Sequence, residues 1–252
     1  MIAAQYICYA TNDDFTDRYI IDFNKYWSCR DLFKFIENDQ LQGIPGIESY
    51  YSNTNYYILG MIIEKFSKKR LDIYLKDEIF NKLGMSDTYF PTENYLTGNY
   101  AHGYFDQNEN GYFEKEEDVT SQNPSAIWAS GMIVSNVHDL SIWIDELFRG
   151  SLIGEKLQKE RLKFDMHLNG APDFVNLGLG IANIDNAIGH TGALPGFTSV
   201  LFRYKSTDII ALSNCFHTKS EMGSVAEKLL ESVRSRVIDK IPVTAMEMKK
   251  SE

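Results

Sequence analysis

The spacing of apolar and polar positions predicts several amphipathic helices in the first 150 residues of the chain. Over residues 54–69, apolar side chains recur every three or four positions, which is the period of a helix with one buried face. Ser28 is expected to cap a short helix that ends near Asn38. A further helix over about 71–83 is expected to stop at Gly84, because glycine readily takes the left-handed position that ends a helix.

The later part of the chain changes from a helical to an alternating pattern. Ser135 is expected to cap a helix closed by Gly150, with an inward face made of Val137, Leu140, Ile144 and Leu147. Residues 198–204 and 209–213 read as two strands of a hairpin, and a last helix is predicted over about 220–238.

This order of elements predicts an α+β fold in which an antiparallel sheet is flanked by helices. We expect one domain over residues 1–252, with a helical lobe over about 28–150 and a sheet lobe over about 175–240. Its length and its 44% hydrophobic content are sufficient for a packed core.

Charge excludes some classes of partner. The chain has 25 Lys and Arg against 35 Asp and Glu, a net charge of −10, whereas nucleic-acid binding proteins carry a basic surface. We therefore expect no nucleic-acid partner, and no apolar run is long enough for a transmembrane segment. The acidic patch Glu114–Asp118 is predicted to be a solvated loop and not a cation site.

The residues that commonly bind metals and cofactors are not suitably spaced. The three cysteines are scattered and odd in number, which excludes a disulfide framework and a four-cysteine zinc site. The five histidines lack ligand spacing, and there is no Walker A loop, dinucleotide fingerprint or G-x-S-x-G motif. We predict neither a metal site nor a cofactor.

Two short motifs are candidates for chemistry. In Tyr51-Ser52-Asn53, where a loop enters a helix, a phenol beside a cation can act as a general base, and the amide of Asn53 can bind a substrate amide. The alternative is a packed aromatic ring followed by a helix-capping asparagine. In His190-Thr191-Gly192, a strand edge with a hydroxyl and a glycine can accept a peptide-like substrate. The alternative is a structural histidine in a glycine-rich turn.

The sequence around these motifs resembles the serine β-lactamase-related family, which includes class C β-lactamases, D-alanyl-D-alanine carboxypeptidases and β-lactamase-like esterases. The resemblance runs from about Gly43 to Asn214 through residues 45–46, 50–56, 59–64, 79–88, 101–104, 129–135, 139–140, 189–197 and 212–214.

The resemblance implies a β-lactamase/transpeptidase-like fold and roles for five residues. Tyr51 and His190 would be catalytic, while Asn53, Thr191 and Gly192 would bind a small-molecule or peptide substrate with an amide or ester bond. An acyl-enzyme would form on a serine, and no metal or organic cofactor is implied. Relatives commonly work outside the cytoplasm, but this chain shows no signal peptide, so its compartment stays open.

The family's Ser-x-x-Lys motif is missing, since no serine of this chain is followed three residues later by lysine. We therefore expect a member that is truncated at its N-terminus, lacks the nucleophile helix and the first strands, and is weakly active or inactive. An unpaired sheet edge would make it less stable than longer relatives. The alternatives are a non-catalytic binding or regulatory protein, or cysteine chemistry in which Cys29 or Cys215 is paired with a histidine.

Overall fold

The computed structural model describes residues 7–37, 41, 43–44 and 47–217, and in this range helices precede a sheet. The helix predicted over 220–238 lies outside the described residues. The helices are α1 (Asp13–Ile21), α2 (Cys29–Lys34), α3 (Asn53–Ser67), α4 (Leu71–Leu75), α5 (Asn81–Leu83), α6 (Val137–Arg149) and α7 (Gly154–Arg161). The strands are β1 (Tyr104–Asp106), β2 (Met166–His167), β3 (Val175–Leu177), β4 (Ala182–Ile184), β5 (Ala187–Leu194), β6 (Phe197–Tyr204), β7 (Thr207–Ser213) and β8 (Cys215–His217).

The sheet confirms the α+β prediction. Strands β2 to β7 lie in sequence order, and each pairs antiparallel with the next. Helix α6 packs against β6 and β7, so it covers one part of the sheet. A separate two-stranded parallel pair joins β1 to β8, with Phe105 opposite Phe216.

Helix α3 holds the helical part together through a close approach to a neighbouring turn. Its buried positions include Tyr57 and Gly60, one turn apart on the same face. A Cβ atom on Gly60 would lie 2.5 Å from Cβ of Ala129 and 2.8 Å from the ring of Trp128. Glycine at this position therefore lets the helix backbone contact the 129 region directly.

The main core is unusually aromatic and lies between the N-terminal residues and α3. Tyr9 makes edge-on contacts with Phe15 and Tyr57, at ring-centroid distances of 5.1 and 6.1 Å. Phe15 in turn contacts Trp27 at 5.3 Å. Edge-on aromatic pairs add to the free energy of burial, so this cluster fixes α1 and α3 relative to each other.

Several predicted helix boundaries are corrected by the structure. Helix α2 begins after Ser28, as predicted, and the Ser28 hydroxyl accepts the Asp31 N–H. The helix predicted over 71–83 is interrupted by a π-helical turn at Lys76–Phe80, although Gly84 ends it in the left-handed conformation.

The cap predicted for α6 is wrong. Asn136, not Ser135, accepts the Asp139 N–H at 2.8 Å, because the Ser135 hydroxyl is bonded to Thr88 Oγ1 at 2.7 Å. Val137 was predicted to face inward but is 51% exposed.

Substitution of Gly60 tests the close approach of α3. Gly60→Ala is expected to lower the free energy of unfolding by about 1 to 3 kcal/mol, because the new methyl group overlaps Ala129. The measurement is urea denaturation followed by circular dichroism. The double variant Gly60→Ala/Ala129→Gly should recover much of the loss, and equal stability of the two variants would contradict the contact.

The buried tyrosines predict how stability depends on alkaline pH. Burial raises the pKa values of Tyr9, Tyr19 and Tyr57 above the usual value near 10. Since the folded state holds these protons more tightly than the unfolded state, the resulting stability is complete below pH 10 and is lost as the pH rises above it. The melting temperature should fall steeply between about pH 10 and 11. A flat profile over this interval would contradict the burial of the phenols.

Candidate active site

The first turn of α3 is anchored by a fully buried hydroxyl. Thr54 Oγ1 donates to the carbonyl oxygen of Ile7 at 2.8 Å and accepts the N–H of Tyr9 at 3.1 Å. The N–H of Asn53 donates to Cys8 Sγ at 3.3 Å. These bonds attach the start of the helix to the N-terminal segment 7–9, and so they fix the position of the preceding loop.

Tyr51 projects from this loop and lies beside a residue from the sheet. Its ring is 5.8 Å from the ring of His190 and 6.1 Å from that of Tyr56, measured between centroids. The Tyr51 side chain remains 44% exposed. The structure therefore brings Tyr51 and His190, which are distant in sequence, to one accessible surface.

The surroundings of Tyr51 differ from the predicted ones. Burial raises the pKa of the Tyr51 phenol to about 12, with further contributions from Tyr56 and Cys8. A neighbouring cation would lower the pKa, and no such cation is among the causes of the shift from the described part of the chain. At neutral pH Tyr51 is consequently a protonated hydrogen-bond donor.

Strand β5 presents a partly open edge at the second motif. Strand β4 pairs only with Ala187–Gly189, whereas β6 pairs with β5 along its whole length. Within residues 47–217, the segment 190–194 thus has a strand on one side only. An open edge of this kind offers main-chain N–H and C=O groups to an extended ligand.

The residues of this edge have distinct environments. The Nδ1 atom of His190 donates to the carbonyl oxygen of Thr191, which leaves Nε2 of a neutral ring as an acceptor. Thr191 is exposed, and Gly192 lies opposite Ser199 on β6. A Cβ atom on Gly192 would lie 2.5 Å from Ser199 Oγ, so glycine keeps the two strands close at this position.

The remaining predicted residue is Asn53, which begins α3 and is half-buried. The alternative in which Asn53 caps the helix is wrong, because the capping position is Ser52 and the Ser52 side chain makes no capping bond. The Ser52 hydroxyl is buried without a hydrogen-bond partner among the described residues. Sequence reasoning did not single out Tyr56, whose ring lies 6.1 Å from that of Tyr51. Tyr56 belongs to the first turn of α3, five residues after Tyr51.

Among the described side chains, the hydrogen-bond partners of Cys29 and Cys215 do not include a histidine. Cys29 Sγ lies 3.5 Å from Met61 Sδ, and burial raises the pKa of its thiol, which disfavours the reactive thiolate. Cys215 Sγ is 3.0 Å from the hydroxyl of Ser213. The side chain of His217 lies outside the described atoms. These environments are typical of structural cysteines.

Comparison with known proteins gives a family match over most of the chain. The model of the family described as Beta-lactamase matches residues 10–233. The chain is 28% identical over 220 residues to Protein flp of Staphylococcus aureus (strain MW2), which covers 86% of this chain and 42% of that protein. It is also 28% identical over 210 residues to Penicillin-binding protein 4* of Bacillus subtilis (strain 168), covering 77% of this chain and 46% of the relative.

A solved structure shows the same fold. The D-stereospecific amidohydrolase from Streptomyces sp. superposes with a TM-score of 0.77 at 21% identity, covering 91% of this chain and 69% of the amidohydrolase. The chain thus spans less than half the length of the two curated relatives. In the residues that the structure covers, none of the helices combines the length and apolarity needed to cross a bilayer.

Titration of Tyr51 tests the electrostatics of the site. The phenol is expected to titrate near pH 12 and to remain protonated at pH 10, because its crowded position disfavours the phenolate. The measurement is the difference between the ultraviolet titration curves of the native chain and the Tyr51→Phe variant. A Tyr51 midpoint below pH 10 would show that a cation reaches the ring in solution.

Proposed function

Because the chain belongs to the beta-lactamase family, we propose that it forms the substrate-binding side of a serine hydrolase site that cleaves an amide or ester through an acyl-enzyme. Its fold is β-lactamase/transpeptidase-like, with an antiparallel sheet and flanking helices. The proposed type is a D,D-carboxypeptidase or a class C β-lactamase. The relatives above include a penicillin-binding protein and an amidohydrolase, which agrees with an amide substrate.

One observation carries the proposal: the rings of Tyr51 and His190 lie 5.8 Å apart beside the half-paired segment of β5. A peptide-like substrate can lie along this segment as an additional strand, with its main-chain groups bonded to the strand edge. Such a substrate would lie beside both the Tyr51 phenol and the His190 imidazole. Two polar side chains from separate parts of the sequence would then contact the same scissile bond.

The proposed roles follow from the donors and acceptors available. Tyr51 carries its proton at neutral pH and would donate it to the leaving nitrogen or oxygen as the bond to the acyl carbon breaks. His190 would accept a hydrogen bond from the substrate at Nε2, or donate one to a carboxylate when its ring is protonated, Asn53 would hold the acyl side chain, and Thr191 and Gly192 would line the strand. Water would then hydrolyse the acyl ester.

The covalent step requires a nucleophile that the motifs of this sequence do not include. No serine in the 252 residues is followed three positions later by lysine. We therefore propose the acyl-transfer reaction for the whole protein, and substrate binding for this chain. The same observation favours the second candidate function, a non-catalytic protein that keeps the pocket and binds its ligand reversibly.

Fluorescent penicillin distinguishes binding from acylation. The chain should raise the fluorescence polarisation of the penicillin saturably, while denaturing electrophoresis and mass spectrometry should show no covalent adduct. A specific adduct would show that the chain holds its own nucleophile. Absence of saturable binding to both penicillin and a D-amino acid amide would contradict the proposed site.

Two histidine variants locate the binding surface. His190→Ala should weaken binding about tenfold, the effect of losing one hydrogen bond of about 1 to 1.5 kcal/mol. His167→Ala is the matched control, because His167 is exposed on β2 and outside the proposed site. Equal affinities of the two variants would place the ligand elsewhere.

A further inference from the structure

A second site is indicated by the chain between β1 and residue 117. Oxygen-bearing residues occur at the first, third, fifth, ninth and twelfth positions of this segment, with glycine at the sixth. They are Asp106, Asn108, Asn110, Glu114 and Glu117, and the glycine is Gly111. This order matches the twelve-residue calcium-binding loop, D-x-[DN]-x-[DN]-G-x5-E, in every specified position.

The structure places the first and last residues of this segment together in its interior. Asp106 and Glu117 are only 3% and 6% exposed, although both carry carboxylates. Oε1 of Glu117 accepts the N–H of Gln107 at 3.0 Å, so the twelfth residue folds back onto the start of the loop. The prediction that the acidic patch is solvated is therefore wrong for Glu117.

The charge of this interior favours a cation. In the described part of the chain, no Lys, Arg or His forms an ion pair with Glu114 or Glu117. The Glu114 carboxylate accepts hydrogen bonds from Nδ2 of Asn108 and from Nδ2 of Asn110, each at 2.9 Å. The two buried carboxylates accept main-chain N–H groups of the loop: Asp106 those of Asn110 and Gly111, and Glu117 those of Gln107 and Glu114. A cation bound between them would add a positive charge next to two buried negative ones.

The backbone has the bends that such a loop requires. Glu109 and Gly111, the fourth and sixth positions, have φ values of 58° and 83°. Side-chain oxygens of the first, third and fifth positions accept main-chain N–H groups of the same loop. Oδ2 of Asp106 accepts the N–H of Gly111 at 3.0 Å, Oδ1 of Asn108 that of Asn110 at 3.0 Å, and Oδ1 of Asn110 that of Tyr112 at 2.8 Å. A hard cation with six to eight oxygen ligands fits this arrangement, whereas Mg²⁺ demands a smaller octahedral shell.

We propose that residues 106–117 bind one Ca²⁺ ion. The ligands would be side-chain oxygens of Asp106, Asn108, Asn110 and Glu117 and the main-chain carbonyl of Tyr112, with Glu114 acting through water. No group of three or more His, Cys, Asp or Glu side chains among the described residues could hold a metal ion. The amide and main-chain oxygens are accordingly essential to the proposed site, which departs from the expectation of no metal site.

The position of the loop connects the ion to the proposed active site. Strand β1 follows Gly103, which packs against the turn between β5 and β6: a Cβ atom on Gly103 would lie 2.9 Å from the carbonyl oxygen of Gly196. Binding of Ca²⁺ would fix the end of β1 and, through this contact, the far end of β5. We therefore expect Ca²⁺ to stabilise the fold as well as the loop.

Calcium binding is measured directly on the intact chain after removal of metals with a chelator. Isothermal titration calorimetry should show one Ca²⁺ site with Kd between about 10⁻⁶ and 10⁻³ M, and at least about tenfold weaker binding of Mg²⁺. The melting temperature should rise with Ca²⁺ concentration. No saturable Ca²⁺ binding up to about 10 mM, ten times the weakest extracellular affinities, would overturn the proposal.

Variants place the ion in the loop. Glu117→Gln should weaken Ca²⁺ binding more than about tenfold, because it removes the bidentate carboxylate. Glu116→Gln is the matched control, since Glu116 is exposed and outside the ligand positions but carries the same charge. Equal losses in the two variants would indicate diffuse attraction of cations and would overturn the proposed site.

A second variant and a spectroscopic probe keep the test independent of folding defects. Asn110→Ala retains all carboxylates and should also weaken binding, by about tenfold. Tb³⁺ bound in place of Ca²⁺ should luminesce when tyrosine is excited, since Tyr112 is in the loop, and excess Ca²⁺ should quench the signal. Luminescence that persists in Glu117→Gln at native intensity would place the lanthanide elsewhere and contradict the proposal.

Discussion

The buried hydroxyl of Thr54 is the contact on which the arrangement of the candidate active site depends. It bonds to two groups of the segment that carries Tyr9, and Tyr9 lies at the centre of the aromatic core. Its hydroxyl donates to the carbonyl oxygen of Ala126 at 2.8 Å. The first turn of α3 is therefore held from below by the best-packed part of the molecule. Tyr51 precedes this turn, so an accessible side chain acquires a fixed position from buried neighbours.

Much of the fold could be predicted where one local pattern is long enough. Helix α3 and the β6–β7 hairpin have sustained helical and alternating periods, and both were found close to their predicted bounds. Ser135 and Asn136 are both good capping residues, so only the bond from Ser135 to Thr88, 47 residues away, decides which one caps α6. Strands β2, β3 and β4 contain two or three residues each, too few for any periodicity to show.

The sequence proposed residues for the candidate site but did not indicate the electrostatics around them. The resemblance identified Tyr51 and His190, and the structure brings them together across 139 positions of sequence, since 190 − 51 = 139. The protonation of Tyr51 depends instead on which groups surround the phenol in space. Burial of the phenol favours the neutral form, with smaller electrostatic contributions from Tyr56 and Cys8, and none of these causes is encoded by the three-residue motif. A motif specifies which side chain is present, while its neighbours determine in which form it reacts.

The loop over 106–117 also shows that composition alone does not determine which side chains are exposed. Read as composition, five charged residues in a row from Glu114 to Asp118 indicate a surface exposed to water. By its position, Glu117 is the twelfth residue of a loop that begins at Asp106. It is buried because its carboxylate folds back onto the N–H groups of Gln107 and Glu114. The loop also begins where β1 ends, beside the turn that closes β5 and β6. The half-paired edge of β5 is consequently contacted at both ends. His190 lies beside the helical part, and the turn at the far end of β5 packs against the residue that precedes β1 and the acidic loop. Both ends of the proposed substrate strand therefore depend on elements outside the sheet.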